Sequence, residues 1–513
     1  MGTIVETRSG KVEGREEQGA LVFRGIPFAR PPVGELRLRP PVREEPWSGV
    51  RPALEHGATA PQNASMVGAL LGLPGGQQEE DCLTLAVTTP ACDGARRPVM
   101  FWIHGGGFVM GAGSQPVYES PALAVRGDVV LVTINYRLGA LGWLALPALG
   151  DEQGGVVGNL GLLDQIAALE WVRDCIDRFG GDPDNVTIFG ESAGGMSVGT
   201  LLGTPRAAGL FRRAILQSGA SHNVAPLETG ARVAEVLMKE LGLEPNAVER
   251  LRALPAGRIL EAQGRALLQM AQQVRGIPFQ PTLDGAVLSA PPLDALAEGL
   301  AHDVEVLVGT NADEWRLFGI ADPKARDLDD EGLERRVERN VPGHDAKGRS
   351  HAKRAIETYR AARSGAGLAA AASDLWFAIE GDRFFGVPAL RLAERKAARG
   401  GRVYKYLFTW KSPAMNGALG SCHALEIPFV FGTLATLPGL RAFVGDGPAA
   451  EALSQRMQEA WAAFAWTGDP SGPELGPWPA FDPDRAATMI FGAECGVAEG
   501  PHRAELAFWD GLL

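Results

Sequence analysis

Ser192, which has a glycine two residues before it and another two residues after it, lies at a predicted turn between a strand and a helix. The apolar run Val186 to Phe189 is typical of a buried strand, and the residues from Met196 onward predict a helix. The glycines of the stretch Gly190 to Gly194 let the backbone turn tightly, which holds the serine hydroxyl above the sheet edge in a strained conformation. The N–H groups at the start of the helix favour negative charge at the same place. A bare Gly-x-Ser-x-Gly pattern also fits an ordinary turn, but this context favours a nucleophilic serine.

Other apolar runs bounded by turn residues resemble strands that are buried on both faces; they are Val99 to Ile103, Val129 to Ile134 and Val304 to Val308. Helix-like segments such as Leu160 to Phe179 lie between them. The alternation predicts a mostly parallel central sheet with helices on both faces and a functional site at the carboxyl ends of the strands. Together with the serine turn, it predicts an α/β-hydrolase fold.

Two long stretches, Glu228 to Gln273 and Glu331 to Arg399, are rich in Ala, Leu, Glu and Arg at helical spacing and interrupt the strand pattern. We interpret them as helical insertions around an active-site gorge. The chain shows no internal repeat and no Pro/Ser-rich linker, so residues 1–513 are predicted to form a single domain.

Charge and cysteine content limit the classes of partner. The formal net charge of -12 repels nucleic acid and anionic membrane surfaces, and no apolar run is long enough to span a bilayer. The five cysteines are scattered without a Cys-x-x-Cys pair, so neither a disulfide framework nor a zinc site is predicted. The stretch Met1 to Glu13 lacks the apolar core of a signal peptide, and we therefore expect a cytoplasmic protein.

A run of glycines, Gly105 to Gly107, follows the predicted strand Val99 to Ile103 and matches the His-Gly-Gly-Gly pattern of an oxyanion loop. Without side chains, the backbone can approach a reacting carbonyl group and direct the N–H groups of Gly106 and Gly107 at its oxygen. Ala193, the residue after the serine, is expected to supply a third donor. His104 precedes the glycines, and a structural role is favoured for it over that of a catalytic base.

The catalytic base should follow both the serine and the acid, because an α/β-hydrolase has the chain order serine, acid, histidine. His423 lies in a loop of small residues before the apolar stretch Glu426 to Phe431, from where it can reach inward. The other histidines after Ser192 are less suitable because they precede the acid, lie in a charged stretch or neighbour Pro501; they are His222, His302, His344, His351 and His502.

The acid should follow a late strand, and Val304 to Val308 is followed by two adjacent carboxylates, Asp313 and Glu314. A triad needs only one carboxylate to orient the imidazole and stabilise its protonated form. The chemistry of the two residues leaves the choice open.

The order of these motifs resembles the type B carboxylesterase family, which includes cholinesterases and bacterial para-nitrobenzyl esterases. The resemblance covers nearly the whole chain. The matching stretches are Phe23 to Ala29, Pro31 to Gly34, Glu80 to Leu85, Asn135 to Gly139, Gly158 to Gln165 and Gln217 to Gly219.

The resemblance implies that Glu314, which closes an Asn-x-Asp-Glu stretch, is the acid and that His423 of the His-x-x-Glu-Ile stretch is the base. It also implies scaffold pairs, namely Arg37 with Glu80, Arg137 with Asp164, and a polar pair of Ser218 and Glu426 behind the histidine.

The sequence departs from the secreted members of this family at two places. Cys82 matches a cysteine that those members bridge to one upstream, but no cysteine precedes Cys82 here. No tryptophan occurs between Ser65 and Glu80, where cholinesterases carry one that binds choline through a cation–π contact. A cytoplasmic, bacterial-type member that does not recognise choline is implied.

The predicted reaction is acyl transfer from a small-molecule ester to Ser192 and then to water, without a metal or cofactor. Activity is expected to fall below the ordinary histidine pKa of about 6.5. Four apolar residues near the motifs are candidates for the substrate pocket; they are Phe108, Met110, Phe279 and Phe385.

An amidase, a lactonase or a carbamate hydrolase would use the same residues, and the motifs leave these alternatives open. A non-catalytic adhesion module is disfavoured because the serine, acid, base and glycine donors are all present. The sequence does not determine the oligomeric state, and a monomer is the default expectation.

Overall fold

The computed structural model describes residues 3–64, 68, 76–152, 158–270 and 276–513. The strands of this part of the chain are β1 Thr3–Glu6, β2 Lys11–Glu17, β3 Ala20–Pro27, β4 Val50–Pro52, β5 Thr84–Thr89, β6 Arg97–Ile103, β7 Val130–Ile134, β8 Gly181–Glu191, β9 Arg213–Gln217, β10 Ala225–Pro226, β11 Thr282–Leu283, β12 Glu305–Asn311, β13 Val403–Phe408, β14 Ala487–Phe491 and β15 Gly496–Glu499.

The main sheet has the strand order β1-β2-β3-β5-β7-β6-β8-β9-β12-β13-β14-β15, with β4 paired to β2. The strands from β7 to β14 in this order run parallel. This confirms the predicted parallel centre. Both ends of the sheet are antiparallel, which the sequence patterns did not predict.

The α-helices of the described residues are α1 Pro121–Gly127, α2 Gly139–Trp143, α3 Ala148–Glu152, α4 Leu160–Cys175, α5 Ala193–Leu202, α6 Leu227–Glu240, α7 Val248–Ala253, α8 Ala256–Met270, α9 Pro292–Ala297, α10 Asp330–Asn340, α11 His351–Gly365, α12 Ala372–Gly381, α13 Val387–Ala397, α14 Ile427–Phe431, α15 Pro438–Val444, α16 Pro448–Thr467 and α17 Arg503–Ala507. A π-helical turn, Asp382–Gly386, joins α12 to α13.

Both faces of the sheet are buried. On β6, Val99 and Phe101 belong to one hydrophobic cluster, whereas Met100 and Trp102 belong to another. Successive side chains of a strand point to opposite faces, so the alternation places a separate apolar layer on each side. This explains why the strand reads as a continuous apolar run rather than an alternating one.

Helices occupy both stretches that the sequence identified as insertions. The first stretch contains α6 to α8, and its predicted end at Gln273 lies outside the described residues. The second stretch contains α10 to α13, which share a third cluster with the C-terminal helix through Tyr359, Trp376 and Trp509. Among the described residues, no helix is both long and apolar enough to cross a membrane.

Candidate active site

The carboxyl ends of three neighbouring parallel strands bring the predicted residues to one edge of the sheet. Glu191 at the end of β8 pairs with Gln217 at the end of β9, and Gln217 pairs with Gly309 on β12. Ser192 follows β8 directly, and Glu314 follows β12. The functional edge therefore lies where parallel sheets of this kind bind ligands.

Ser192 occupies the strained turn that its glycine neighbours predicted. Its φ of 55° and ψ of -124° lie outside the regions that non-glycine residues ordinarily adopt. A Cβ atom at Gly190 would lie 2.6 Å from the carbonyl oxygen of Ile103, and one at Gly194 would collide with the same oxygen. Only glycine fits at these two positions, so packing of the turn against β6 maintains the strain.

The glycine loop after β6 passes directly beside the serine. A Cβ atom at Gly105 would lie 3.1 Å from Cβ of Ser192. Gly106 and Gly107 have φ values of 106° and 60°, which favour glycine. Ala193 is the first residue of α5, where the N–H groups have no partner within the helix. The glycine loop and the start of α5 thus lie at the same turn as Ser192.

His423 is held by Glu314. Nδ1 of His423 donates to Oε2 of Glu314 over 2.7 Å. The other carboxylate oxygen of Glu314 accepts from Ser218 Oγ at 2.6 Å and from the backbone N–H of Asn311 at 2.8 Å. Because all of these groups are buried, the carboxylate is fixed in orientation and fixes the imidazole in turn.

Asp313 has a different function in the structure. Its Oδ2 accepts from the backbone N–H of Ser421 at 2.9 Å, and its Oδ1 accepts from Nε of Arg316 at 3.1 Å. The backbone N–H of Asp313 donates to the carbonyl oxygen of Ser421 at 2.9 Å. Asp313 therefore fastens the loop that carries His423, while Glu314 contacts the imidazole itself.

A second carboxylate, Glu191, lies on the other side of the imidazole, with Oε1 3.0 Å from Nε2 of His423. Burial lowers the pKa of His423, but Glu191 and Glu314 outweigh this effect and hold the pKa well above its ordinary value. Burial also raises the pKa of Glu191. No hydrogen bond joins His423 to Ser192 within the described part of the chain. The sequence analysis missed Glu191 because it occupies the variable position before the serine.

Glu426 lies behind the histidine. Its carboxylate accepts from Asn311 Nδ2 at 2.7 Å and from Gln217 Nε2 at 3.1 Å. Burial, together with the carboxylates Glu191 and Glu314, raises the pKa of Glu426 to about 8. Glu426 consequently adds little negative charge behind His423 at neutral pH.

An aromatic wall lies beside His423. The ring centroids of Phe385 and Phe318 lie 4.7 Å and 5.2 Å from that of His423. Phe385 belongs to the π-helical turn, a feature that occurs often at functional sites. Phe318 is 38% exposed, so the wall combines a buried ring with an accessible one.

A family model described as "Carboxylesterase family" matches residues 1–509. The chain belongs to the carboxylesterase family. It is 38% identical over 509 residues to the para-nitrobenzyl esterase of Bacillus subtilis, a match that covers 97% of this chain and 96% of that protein. It is 32% identical to an acetylcholinesterase of Leptinotarsa decemlineata, covering 99% of this chain and 86% of the relative.

A solved structure of a Geobacillus stearothermophilus carboxylesterase at pH 6.2 superimposes on this carboxylesterase with a TM-score of 0.87. The two are 41% identical, and the match covers 99% of this chain and 100% of that one. The predicted α/β-hydrolase fold is confirmed, and the protein is a serine carboxylesterase, an enzyme that hydrolyses carboxylic esters.

The four candidate pocket residues of the carboxylesterase lie in different surroundings. Phe108 and Phe279 are completely buried in the core, where the Phe108 ring packs against Trp143 at a centroid distance of 4.7 Å. Phe385 is also buried but contacts His423, and Met110 is half-buried after the glycine loop. A pocket role for any of the four residues remains a prediction.

Two scaffold pairs implied by the resemblance are present in the carboxylesterase. Arg37 Nε donates to Glu80 at 2.7 Å, and Arg137 binds Asp164 through two hydrogen bonds of 2.8 Å and 2.6 Å. The resemblance also implied that Ser218 pairs with Glu426 behind the histidine. In the structure Ser218 instead donates to Glu314, and Glu426 accepts from side-chain amide groups.

His104 has the structural role that was favoured for it. The ring is buried, stacks on Tyr136 at a centroid distance of 4.4 Å, and has Nδ1 2.8 Å from the carbonyl oxygen of Gly105. Burial lowers the pKa of His104 to about 4, although its hydrogen bond to Gly105 opposes this. A neutral, buried ring that stacks on Tyr136 and bonds to Gly105 stabilises the glycine loop.

Proposed function

We propose that Ser192, His423 and Glu314 form the catalytic triad of this carboxylesterase and that the N–H groups of Gly106, Gly107 and Ala193 form its oxyanion hole. The observation that carries the proposal is the buried 2.7 Å hydrogen bond between Glu314 and His423, at the same sheet edge as the strained Ser192. This arrangement has the acid and base of a triad in the chain order of an α/β-hydrolase.

In the proposed reaction, Nε2 of His423 takes the proton of Ser192 while Oγ attacks the carbonyl carbon of the ester. The oxygen of the tetrahedral intermediate becomes negative and is stabilised by the backbone donors. His423 then gives its proton to the leaving alcohol, and an acyl-enzyme forms. Water attacks the acyl group by the same route in reverse, which releases the acid and restores Ser192.

The nucleophile can be tested with Ser192→Ala and a matched control on the same helix, Ser197→Ala, whose Oγ accepts from Gln165 at 3.0 Å. Hydrolysis of para-nitrophenyl butyrate and covalent labelling by a fluorophosphonate are measured for both variants. Ser192→Ala should lose both signals and keep the wild-type circular dichroism, while Ser197→Ala keeps both. Labelling of Ser192→Ala at the wild-type level would overturn the assignment.

The proposed substrates are small neutral esters, and hydrolysis of amides, lactones or carbamates by the same triad is a secondary activity in this proposal. Amides have poorer leaving groups and therefore require a stronger general acid. Comparison of kcat/KM for an ester, an amide, a lactone and a carbamate of matched acyl size tests this order. A higher value for any of the last three would contradict it.

We further propose a monomer in a reducing compartment such as the cytoplasm. The support for the compartment comes from the five cysteines, all of which are free thiols, with three of them buried. The monomer is the default expectation. Sedimentation of the purified enzyme and its activity with and without a reductant would test the two parts.

A further inference from the structure

His222 lies on the segment that follows β9 and passes beneath Ser192 and Glu314. Three contacts hold this segment in place. Ser218 donates to Glu314, and Ser221 donates to the carbonyl oxygen of Gly199 in α5 at 3.0 Å. Gly219 packs closely against the serine turn, since a Cβ atom at this position would lie 2.7 Å from the carbonyl oxygen of Ser192. The backbone before His222 is therefore in contact with both the nucleophile turn and the predicted triad acid.

Phe384 extends the aromatic wall of Phe318 and Phe385, and the ring of His222 lies at the far end of this extension. Its centroid is 6.1 Å from that of Phe384, Phe384 is 4.9 Å from Phe385, and Phe385 is 4.7 Å from His423. The rings of Phe385 and Phe384 therefore connect His423 with His222 in a continuous row.

His222 differs from the rest of the wall because it carries unused hydrogen-bonding groups. Both ring nitrogens are shielded from solvent, and neither has a hydrogen-bond partner among the described residues. The Phe384 backbone lies close enough to the ring to raise its pKa, but the contact does not meet the distance and angle of a hydrogen bond. A buried polar group without a partner costs free energy, which a ligand that supplies the missing hydrogen bond recovers.

The charge state of the ring restricts the kind of ligand. Burial lowers the pKa of His222 to about 3. The Phe384 backbone opposes this shift, whereas the positive charge of Arg383 adds to it. The ring is therefore neutral at physiological pH and offers one donor and one acceptor. A neutral hydroxyl or amide group also carries a donor and an acceptor, and it can therefore form hydrogen bonds with the neutral imidazole.

We propose that His222 is a specificity-determining residue that hydrogen-bonds a neutral hydroxyl or amide substituent on the ester substrate, at the far end of the Phe384–Phe385 wall. This inference rests on the proposed function of the Ser192 site. It assigns the enzyme a preference for esters with a polar group separated from the reacting carbonyl by an apolar spacer.

Matched substrate pairs test the proposal on either side of the ester bond. One pair is para-nitrophenyl hexanoate and para-nitrophenyl 6-hydroxyhexanoate, and the other is butyl acetate and 4-hydroxybutyl acetate. Wild-type enzyme should have a higher kcat/KM for the hydroxylated member of at least one pair. His222→Phe keeps an aromatic ring against Phe384 and removes both nitrogens, so this preference should fall by about three- to tenfold. The kcat/KM for the unsubstituted member should stay near that of the wild type.

His222→Gln retains a neutral donor and acceptor and should recover part of the preference. Equal rates for both members of each pair in the wild type, or an equal loss for both members in His222→Phe, would overturn the proposal and indicate a purely structural histidine. If His222→Phe does not fold, His222→Asn replaces it, because the shorter amide cannot reach the same position. Loss of all turnover in Ser192→Ala tests the proposed function separately from these ratios.

Discussion

Nε2 of His423 lies 3.0 Å from a carboxylate oxygen of Glu191, the residue that immediately precedes Ser192. The proposed base is thus placed between two carboxylates, because Glu314 binds its Nδ1. A positive charge on the imidazole, which forms as it takes the serine proton, is stabilised from both sides. The same arrangement also favours the protonated ring in the resting enzyme, in which it cannot act as a base.

The pH dependence of activity should reflect this second carboxylate. Glu191 and Glu314 raise the pKa of His423 well above its ordinary value, so we now expect the acid limb at a higher pH than the 6.5 expected from the sequence. The base must be neutral, and kcat/KM should therefore rise with pH through the raised pKa and fall below it. A profile of para-nitrophenyl butyrate hydrolysis from pH 5 to 9 measures the midpoint.

Glu191→Gln should move the midpoint of that acid limb to lower pH, because it removes a charge that stabilises the imidazolium. Glu79→Gln changes an exposed carboxylate that does not contribute to the raised pKa of His423, and it serves as the control. An unchanged midpoint in Glu191→Gln would show that Glu191 does not act on His423.

The adjacent carboxylates Asp313 and Glu314 should respond differently to amide substitution. Glu314→Gln removes the charge that orients His423, and kcat should fall by about 10³- to 10⁴-fold with little change in fold. Asp313→Asn weakens the hydrogen bonds to Ser421 and Arg316 and should mainly lower the melting temperature. Steady-state kinetics and thermal unfolding of the two variants distinguish them, and equal losses of kcat would contradict the assignment.

The two oxyanion glycines form another matched pair. A Cβ atom at Gly106 would collide with the carbonyl oxygen of Met110, whereas one at Gly107 meets nothing within 4 Å. Gly106→Ala should displace the loop and lower kcat by about 10²- to 10³-fold. Gly107→Ala should cost only about 1 kcal/mol of backbone strain. Kinetics and urea unfolding check both values, and a similar kcat for the two variants would contradict this account.

The parts of the fold that could be predicted depend on local rules. The parallel strands read as apolar runs because both of their faces are buried, and the serine turn follows from glycines that pack against Ile103. The antiparallel strands at the N-terminus were missed because β2, Lys11–Glu17, is rich in charged residues and only partly buried.

The parts of the site that could not be predicted depend on contacts between distant segments. Asp313 and Glu314 are adjacent and chemically alike, so their chemistry left the choice open and only the family resemblance implied Glu314. In the folded chain Glu314 contacts His423, whereas Asp313 binds the backbone of Ser421. Glu191 was overlooked because its partner is far along the chain. His222 was dismissed for its place in the chain order, which is informative about a triad but not about the substrate pocket.

The pair Arg137 and Asp164 should be important for stability. Both side chains are at most 4% exposed, and the guanidinium donates to both carboxylate oxygens. Removal of one partner leaves an uncompensated buried charge, so Arg137→Met should lower the free energy of unfolding by about 3 to 5 kcal/mol. The exposed pair Arg485 and Glu499 is the control, and Arg485→Met should change the free energy of unfolding far less. Urea unfolding followed by tryptophan fluorescence measures both changes. Equal losses for the two variants would show that burial does not determine the strength of the inner pair.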